Sequence, residues 1–402
     1  MQQSSGSSST APSGGPSQKA KKRSWKSKGD RMLMGVGNLI KTIYVEASET
    51  QEGAYDEEIT IKNYESIASY SWKGIEHPTI YVPGLPPKLT LPILPVQLQR
   101  DNLTPSKPRS PAAALDPLFQ ALLHTHPNFD MFPFHLVSDR NSLRNFLSFA
   151  SSSPKTWRVD VDMINTTMFF SQWEEFRIML INGHQDSGYG HNFEDCVTTR
   201  ELGLEDSIHH ERVVRYELGG MDCLVRFEAD AYLDGNEDGE SEGQETTPSN
   251  DLPAPKPSKI VKTPPYKLVH VISRGHDIDS DLIAEVKSCS IQNSFNLNQT
   301  MPQLWFSQTR HLCVGYHKDG HVTKELEMRD MKEELRKWEA RNQAHLKNMV
   351  RVIREIREIA KKAKKCTVVC TKVDGVKCLK VFERTRGDLT IRPEVLKRCW
   401  RV

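Results

Sequence analysis

A mixed α/β domain, its sheets flanked by helices, is predicted by three features of this 402-residue sequence. From residue 157 onward the chain repeatedly turns β-branched and apolar, as strands do. Near residues 116 and 142, and again beyond 322, apolar residues recur at three- and four-residue spacing, as on amphipathic helices. A Gly-Gly pair between two strand-like runs adds a hairpin.

Composition narrows the class without naming a partner. Hydrophobic residues make up 37%, and two polar stretches account for much of that shortfall, so the remainder can bury an ordinary core. The formal charge of +2 comes from 54 basic against 52 acidic residues, so the distribution of charge matters more than its sum. Eight cysteines without a signal peptide or long apolar run predict a soluble, intracellular protein with reduced thiols and no membrane contact. Cys366 and Cys370 have no matching second pair, and TVVC between them reads as a strand, so buried thiols are expected there and not zinc.

The elements follow in order. Residues 1–32 are Ser, Gly, Pro and Lys, a disordered tail. Lys19, Lys21, Lys22, Arg23, Lys26 and Lys28 cluster there as an import signal, a loose nucleic-acid contact or a solubilising tail. One domain is expected over 33–402. ITIKNYESIASYSW (59–72) reads as extended chain, and PTIYVPGLPPKL as a loop imposed by Pro and Gly. DPLFQALLHTHP reads as a helix with Asp116 as cap and a Pro stop. SLRNFLSFA (142–150) is a second helix, with Leu143, Phe146, Leu147 and Ala150 on one face.

WRVDVDMINTTMFF and EFRIMLI then read as strands, and VVRYELGGMDCLVRFEADAYL as the hairpin. Residues 234–262 form an acidic, Pro-containing insertion, expected to be disordered and to link two halves of one sheet. KLVHVIS and DLIAEVKSCSI resume strand character. A long helix, broken once, is expected from about Val322 to Lys365. Its basic stretch from Arg351 to Lys365 suits either a solvated helix end or an RNA backbone contact.

Two strands carry charged pairs one residue apart: Glu228 and Asp230 in RFEADAYLDG, Glu285 and Lys287 in DLIAEVKSCS. Alternation puts each pair on a single face, where two acids repel and lose solvation unless a positive charge sits between them. Phosphodiester chemistry uses such equipment, because carboxylates hold divalent cations that activate water, and a lysine can neutralise developing charge. GYGHNFEDCVTT adds Glu194 upstream of the hairpin, and LWFSQTRHLCVGYHKDGHV adds Gln308 at a helix or turn start. Trp305 and Phe306 read as core. No histidine, His124, His126, His209 and His210 included, has ligand spacing.

The order G-x-x-F-E, E-x-D, E-x-K, then W-x-x-Q ahead of an apolar strand and a D-G turn resembles the DXO-type decapping exoribonucleases. DRNSLRNFL is similar to that family's arginine-bearing first motif, and the likeness spans roughly residues 60 to 360. It implies a PD-(D/E)XK-like nuclease core that hydrolyses RNA 5′ ends bearing a triphosphate, an incomplete cap or an NAD cap. It also implies 5′-to-3′ exonuclease activity in some members, a 5′-to-3′ exoribonuclease partner, and a nuclear or nucleocytoplasmic location. Carried over, the metal carboxylates are Glu194, Glu228, Asp230 and Glu285, with the carbonyl of Val286, around two Mg²⁺ or Mn²⁺ ions. Lys287 and Gln308 would meet the scissile phosphate or its water, and Arg140 would grip a substrate phosphate.

Two positions depart from the family pattern: His191 replaces a bulky apolar residue, and His317 stands where many members have arginine. The chain is also similar to fungal proteins sharing PTIxVPGxPP and RFExDxYL, some of which carry the name geranylgeranyl pyrophosphate synthetase. Prenyl synthases need Asp-rich clusters on facing helices, and this chain has no Asp-Asp pair. The alternative of another class is a non-catalytic RNA- or protein-binding member, its carboxylates paired for stability with Lys287 or an arginine.

Overall fold

The computed structural model describes residues 28–45, 57–75, 77–102, 113–152, 155–173, 188–234, 268–386 and 390–400. Most of the basic tail, the EFRIMLI segment and nearly all of the acidic insertion lie outside these residues.

The chain opens with α1 (Lys28–Met32), β1 (Val36–Tyr44), β2 (Ile61–Lys73), β3 (Thr79–Gly84), β4 (Lys88–Leu89) and β5 (Val96–Gln97). Next come α2 (Asp116–Thr125), β6 (Leu136–Asp139), α3 (Arg140–Ala150), β7 (Trp157–Ile164) and β8 (Thr167–Gln172). They lead to α4 (Gly190–Cys196), β9 (Thr198–Thr199), β10 (Ser207–Leu218), β11 (Met221–Glu228) and β12 (Ala231–Tyr232). Then follow β13 (His270–Gly275), β14 (Ile283–Ser290), α5 (Leu297–Ser307), β15 (His311–Lys318), β16 (His321–Val322) and β17 (Glu327–Asp330). The chain closes with α6 (Lys332–Arg341), α7 (Gln343–Ala363), β18 (Lys365–Val373), β19 (Val376–Arg384) and α8 (Pro393–Cys399).

Among the described residues the strands form two mixed sheets. The larger runs β1-β19-β18-β7-β8-β6-β11-β10-β2-β3-β13; the smaller runs β5-β16-β15-β14-β12-β4-β9, with β17 beside β15. Alternation along the central strands serves two cores. Leu136, Cys223 and Val225 pack with α3, α5, α6 and α7, whereas Val137 and Leu224 pack with α2 and α8 on the opposite face. A third, smaller core gathers Phe193, Val197, Ala231, Ala284, Val286 and Cys313 under the smaller sheet.

Local signals set several elements. Gly219 and Gly220 take φ of 53° and 68°, the left-handed pair that a two-residue hairpin turn requires, and Leu218 faces Met221 across it. In α3, Leu143, Phe146, Leu147 and Ala150 are buried, as their spacing predicts. Trp305 and Phe306 are core, and all eight cysteines are free thiols. No helix among the described residues is long and apolar enough to cross a membrane.

Four expectations are corrected. PTIYVPG is no loop but β3, lying between β2 and β13, because Pro83 costs only a donor and its carbonyl still accepts from Ser69 Oγ at 2.9 Å. Asp116 is helical and does not cap α2; Leu115 takes the cap position, and the buried carboxylate accepts from Arg392 Nε at 2.7 Å. The long helix begins at Lys332, because 321–322 and 327–330 pair with strands of the smaller sheet. Its break falls at Asn342, whose backbone and side-chain nitrogens both bond the Trp338 carbonyl. Finally, the acidic insertion follows a strand of the smaller sheet and precedes an edge strand of the larger one, so it joins two sheets.

His210 on β10 is 3% exposed, and its Nδ1 lies 2.9 Å from Ser71 Oγ. Burial, and after it the charge of Arg212, hold its pKa well below the usual imidazole value. Below about pH 6.5 the unfolded chain therefore binds a proton that the folded chain refuses, so folding stability falls as pH drops. Urea unfolding of His210→Gln should show a flatter loss between about pH 6.5 and 5 than the native protein. Equal slopes would remove this group from the acid response.

Candidate functional site: a carboxylate cluster at the seam between the sheets

The sheets meet where one strand leaves the larger and enters the smaller. β11 ends at Glu228 and β12 begins at Ala231. Between them Ala229 N–H still donates to the His210 carbonyl of the larger sheet at 2.9 Å. One residue later Asp230 Oδ2 accepts from Val286 N–H of the smaller sheet, also at 2.9 Å. Glu228 and Asp230 thus straddle the seam.

Three helices and one strand bring in the other charged and polar groups. β14 supplies Glu285 and Lys287 on one face, as strand alternation requires. Lys287 Nζ bonds a Glu285 carboxylate oxygen, Asp230 Oδ2 at 3.2 Å and the Val286 carbonyl at 3.0 Å. α3 starts directly after β6, which aims Arg140 inward; its Nη1 reaches Glu285 Oε2 at 3.4 Å and Ser307 Oγ at 3.2 Å. α5 supplies Gln303, which donates to Glu285. α4 carries Glu194 beside Phe193, which is buried so tightly against Gly315 that an added Cβ there would sit 2.1 Å from the ring.

The electrostatics follow from four carboxylates meeting two permanent cations. Burial, and then repulsion by Glu285, push the Asp230 carboxyl well above its ordinary range, although Lys287 pulls the other way. Burial pushes Glu194 up to about 7; Lys287 opposes this, and Glu228 and Glu285 add to it. Glu285, 1% exposed, is pushed up by burial, but Lys287 and Arg140 outweigh it and the net direction is down. At Glu228 desolvation also pushes upward, but the His209 Nδ1 contact at 2.6 Å and the His209 and Arg140 charges outweigh it and hold the carboxyl below its usual value. For Lys287, burial is outweighed by Asp230 and Glu285, which keep it protonated. Among the described residues no three His, Cys, Asp or Glu side chains converge as metal ligands, and the Lys287 ammonium contacts both Glu285 and Asp230.

Of the residues singled out from sequence, Glu194, Glu228, Asp230, Glu285, Val286, Lys287 and Arg140 come together. Gln308 does not join them. It caps α5 in the left-handed region at φ 51°, and its amide donates back to the Trp305 carbonyl at 2.6 Å. Gln303 stands in the cluster instead, one turn before Ser307; that i, i+4 spacing is visible in the sequence, but not which face of α5 turns inward. Sequence spacing also misses His209, which faces Glu228 only through the pairing of β10 with β11. Asp101, from the loop after β5, caps α4 by accepting from Asn192 N–H at 3.0 Å and from His191 N–H at 3.3 Å. His317 is buried, with its ring 4.7 Å from that of Tyr189, and its Nδ1 accepts from Gly320 N–H. It holds a turn, and burial favours its neutral form.

Comparison with known proteins gives one family match, a domain of unknown function (DUF8563), over residues 43–400. No curated protein matches the chain. Among solved structures, Candida albicans Rai1 in complex with pU5-Mn²⁺ is 12% identical, with a TM-score of 0.56, covering 89% of this chain and 98% of that one. Scheffersomyces stipitis Rai1 in complex with (3′-NADP)⁺ and calcium ion is 12% identical, with a TM-score of 0.56, covering 87% and 99%. The same organism's Rai1 alone gives 12%, 0.57, 89% and 97%. The fold is therefore that of the Rai1 proteins, as the sequence resemblance implied.

Lys287 is what offsets the repulsion between Glu285 and Asp230. In urea unfolding without divalent cations, Lys287→Met should cost about 3 kcal/mol, the low end for breaking a buried ion pair. Adding Glu285→Gln should recover more than half of that loss. A Lys287→Met variant as stable as the native protein would refute this assignment.

Proposed function

This chain belongs to the DUF8563 family, and from the chemistry of its seam we propose that it is a metal-dependent hydrolase acting on RNA 5′ ends. The observation that carries the reading is the excess of acid: four carboxylates gather at the seam with Lys287 and Arg140, and two of the four are pushed up by burial and mutual repulsion. Each candidate donor is a hard oxygen, the set that Mg²⁺ or Mn²⁺ prefers, and a divalent cation would relieve the repulsion. The residues fit such ions, provided that Lys287 yields its contact with Glu285 or Asp230. The fold supports the substrate class, because proteins sharing it have been solved with pU5 and Mn²⁺ or with (3′-NADP)⁺ and calcium.

Glu194, Glu228, Asp230, Glu285 and the Val286 carbonyl would hold the ions, which supply Lewis-acid activation of water and charge neutralisation at phosphate. The chain's own groups do the rest. Arg140, held by Ser307 and Glu285, presents a guanidinium to a substrate phosphate. Lys287 keeps its proton and lowers the cost of negative charge building on the reacting phosphate. Gln303, not Gln308, supplies the amide that orients groups beside Glu285. His209 can take or give a proton at Glu228 on the solvent side.

A second reading has its own observation: Glu285 is already satisfied by Lys287, Arg140 and Gln303, as in a protein that keeps the fold only to bind RNA. Hydrolysis separates the two. Purified protein with Mn²⁺ should release product from 5′-triphosphorylated, NAD-capped or monophosphorylated RNA, with DNA as a further arm. Glu228→Ala/Asp230→Ala should lose about a hundredfold or more in rate. No product from the native protein, with RNA binding equal in both, would leave only the binding reading.

A further inference from the structure

Beside the seam, on the far side of Arg140 and Gln303, lies a cavity of about 470 Å³ between α3, α5 and the α6–α7 break. Its wall on α3 is Asn141, Arg144, Asn145 and Ser148, the face one step round from the apolar residues that bury this helix. Among the described residues no acid lines it, whereas Arg144, Lys155 and Arg341 do. Arg144 is half-buried and makes no hydrogen bond or ion pair with any described residue. Desolvation and the neighbouring Arg140 both act against its charge. Toward the described residues Arg341 uses only its Nε, on the Lys337 carbonyl at 3.0 Å. Burial and Arg140 thus oppose the Arg144 charge, which no described acid of the cavity wall answers, and a bound anion would reverse that cost.

The rest of the wall indicates which anion. Side-chain amides, which both donate and accept, come from α3 and from the first turn of α5 as Asn298 and Gln299. The volume falls in the range of roughly 300–1,000 Å³ typical of small-molecule sites and is generous for a bare phosphate. The cavity neighbours the seam without sharing a lining residue with it: Asn141 follows Arg140, Pro302 precedes Gln303, and Arg144 feels the charges of Arg140 and Glu285. We propose that this cavity is a second nucleotide subsite, holding one nucleotide of an RNA strand whose reacting phosphate lies at the seam, with Arg144 on the phosphate of that nucleotide. This rests on the RNA reading of the seam, and it adds a residue, Arg144, that acts in binding and not in bond breaking.

The test is binding without divalent cations, read by fluorescence anisotropy on the full chain. The probes are a 5′-monophosphorylated pentaribonucleotide, with adenosine monophosphate and inorganic phosphate as competitors. Arg144→Gln should bind the pentamer about tenfold more weakly, because one charged hydrogen-bonding partner is gone. The slope of log affinity against log salt should become shallower by about 0.7 for each single-strand phosphate that the variant no longer neutralises. Arg341→Gln and Lys155→Gln, at exposed positions, should weaken binding in the same direction and decide the matter if Arg144→Gln fails to fold. Competition by adenosine monophosphate, with none by phosphate, would show that a free nucleotide fills the site as well as a strand. Failure of the native protein to bind the pentamer overturns the proposal. So do variants that melt like the native protein and bind within twofold with the same salt slope. Glu228→Ala/Asp230→Ala should leave the Arg144 effect intact, so absent hydrolysis with Arg144-dependent binding defeats the catalytic reading alone.

Discussion

One strand passing from the larger sheet to the smaller between Glu228 and Asp230 is the constraint on which the rest of this structure depends. A backbone that changes sheets must satisfy its polar groups on both sides of the crossing. Here Ala229 pairs back to β10 and the Asp230 carboxylate takes the Val286 N–H ahead. Acidic side chains at a crossing of this kind are held by the fold itself, so their positions need no flexible loop. The same crossing brings β14 alongside, and with it Glu285 and Lys287.

Such a cluster is a burden on stability, and the surrounding structure shows how it is carried. Carboxylates withdrawn from water lose solvation that a single cation only partly returns. Lys287 answers two of them, Arg140 and Gln303 complete Glu285, and His209 answers Glu228 at the rim. Of those partners, Arg140 and Gln303 sit on helices fixed by the core on one face of the larger sheet, and Lys287 on a strand packed into that core and into the smaller one. Rigidity comes from those cores, and the chemistry from the unbalanced charge they hold in place. Among the described residues the cavity beside Arg140 has the opposite imbalance, cations without acids, so acidic and basic regions neighbour each other across α3 and α5.

Much of this is legible residue by residue where the signal is local. The Gly-Gly hairpin, α3 and the β14 pair follow from spacing and turn chemistry, which act over a few residues. The start of α6 is not legible, because the 322–330 stretch is extended only through pairing with β5 and β15, and β5 lies far away in the chain. β3 reads as a loop because its Pro and Gly outweigh its apolar residues locally, while two neighbouring strands outweigh them in the fold. Asp116 has the chemistry of a cap and instead answers Arg392, far along the chain.

By itself the sequence determined the mixed α/β class, the hairpin, and kinds of residue at the centre, Glu194, Glu228, Asp230, Glu285 and Lys287, whereas Arg140 is singled out only by the family resemblance. Residue type and one-residue spacing are properties of the chain, and strand alternation turns them into shared faces. The tertiary structure alone decided that Glu228 and Asp230 lie on either side of the seam between two sheets, that Gln303 enters the cluster while Gln308 turns away, and that His209 completes Glu228. It also decided that Arg144 lines a cavity with no acid beside it among the described residues. Each of these depends on which helix face or sheet neighbour comes near, and that is set by packing between segments far apart in sequence, a quantity no local pattern encodes.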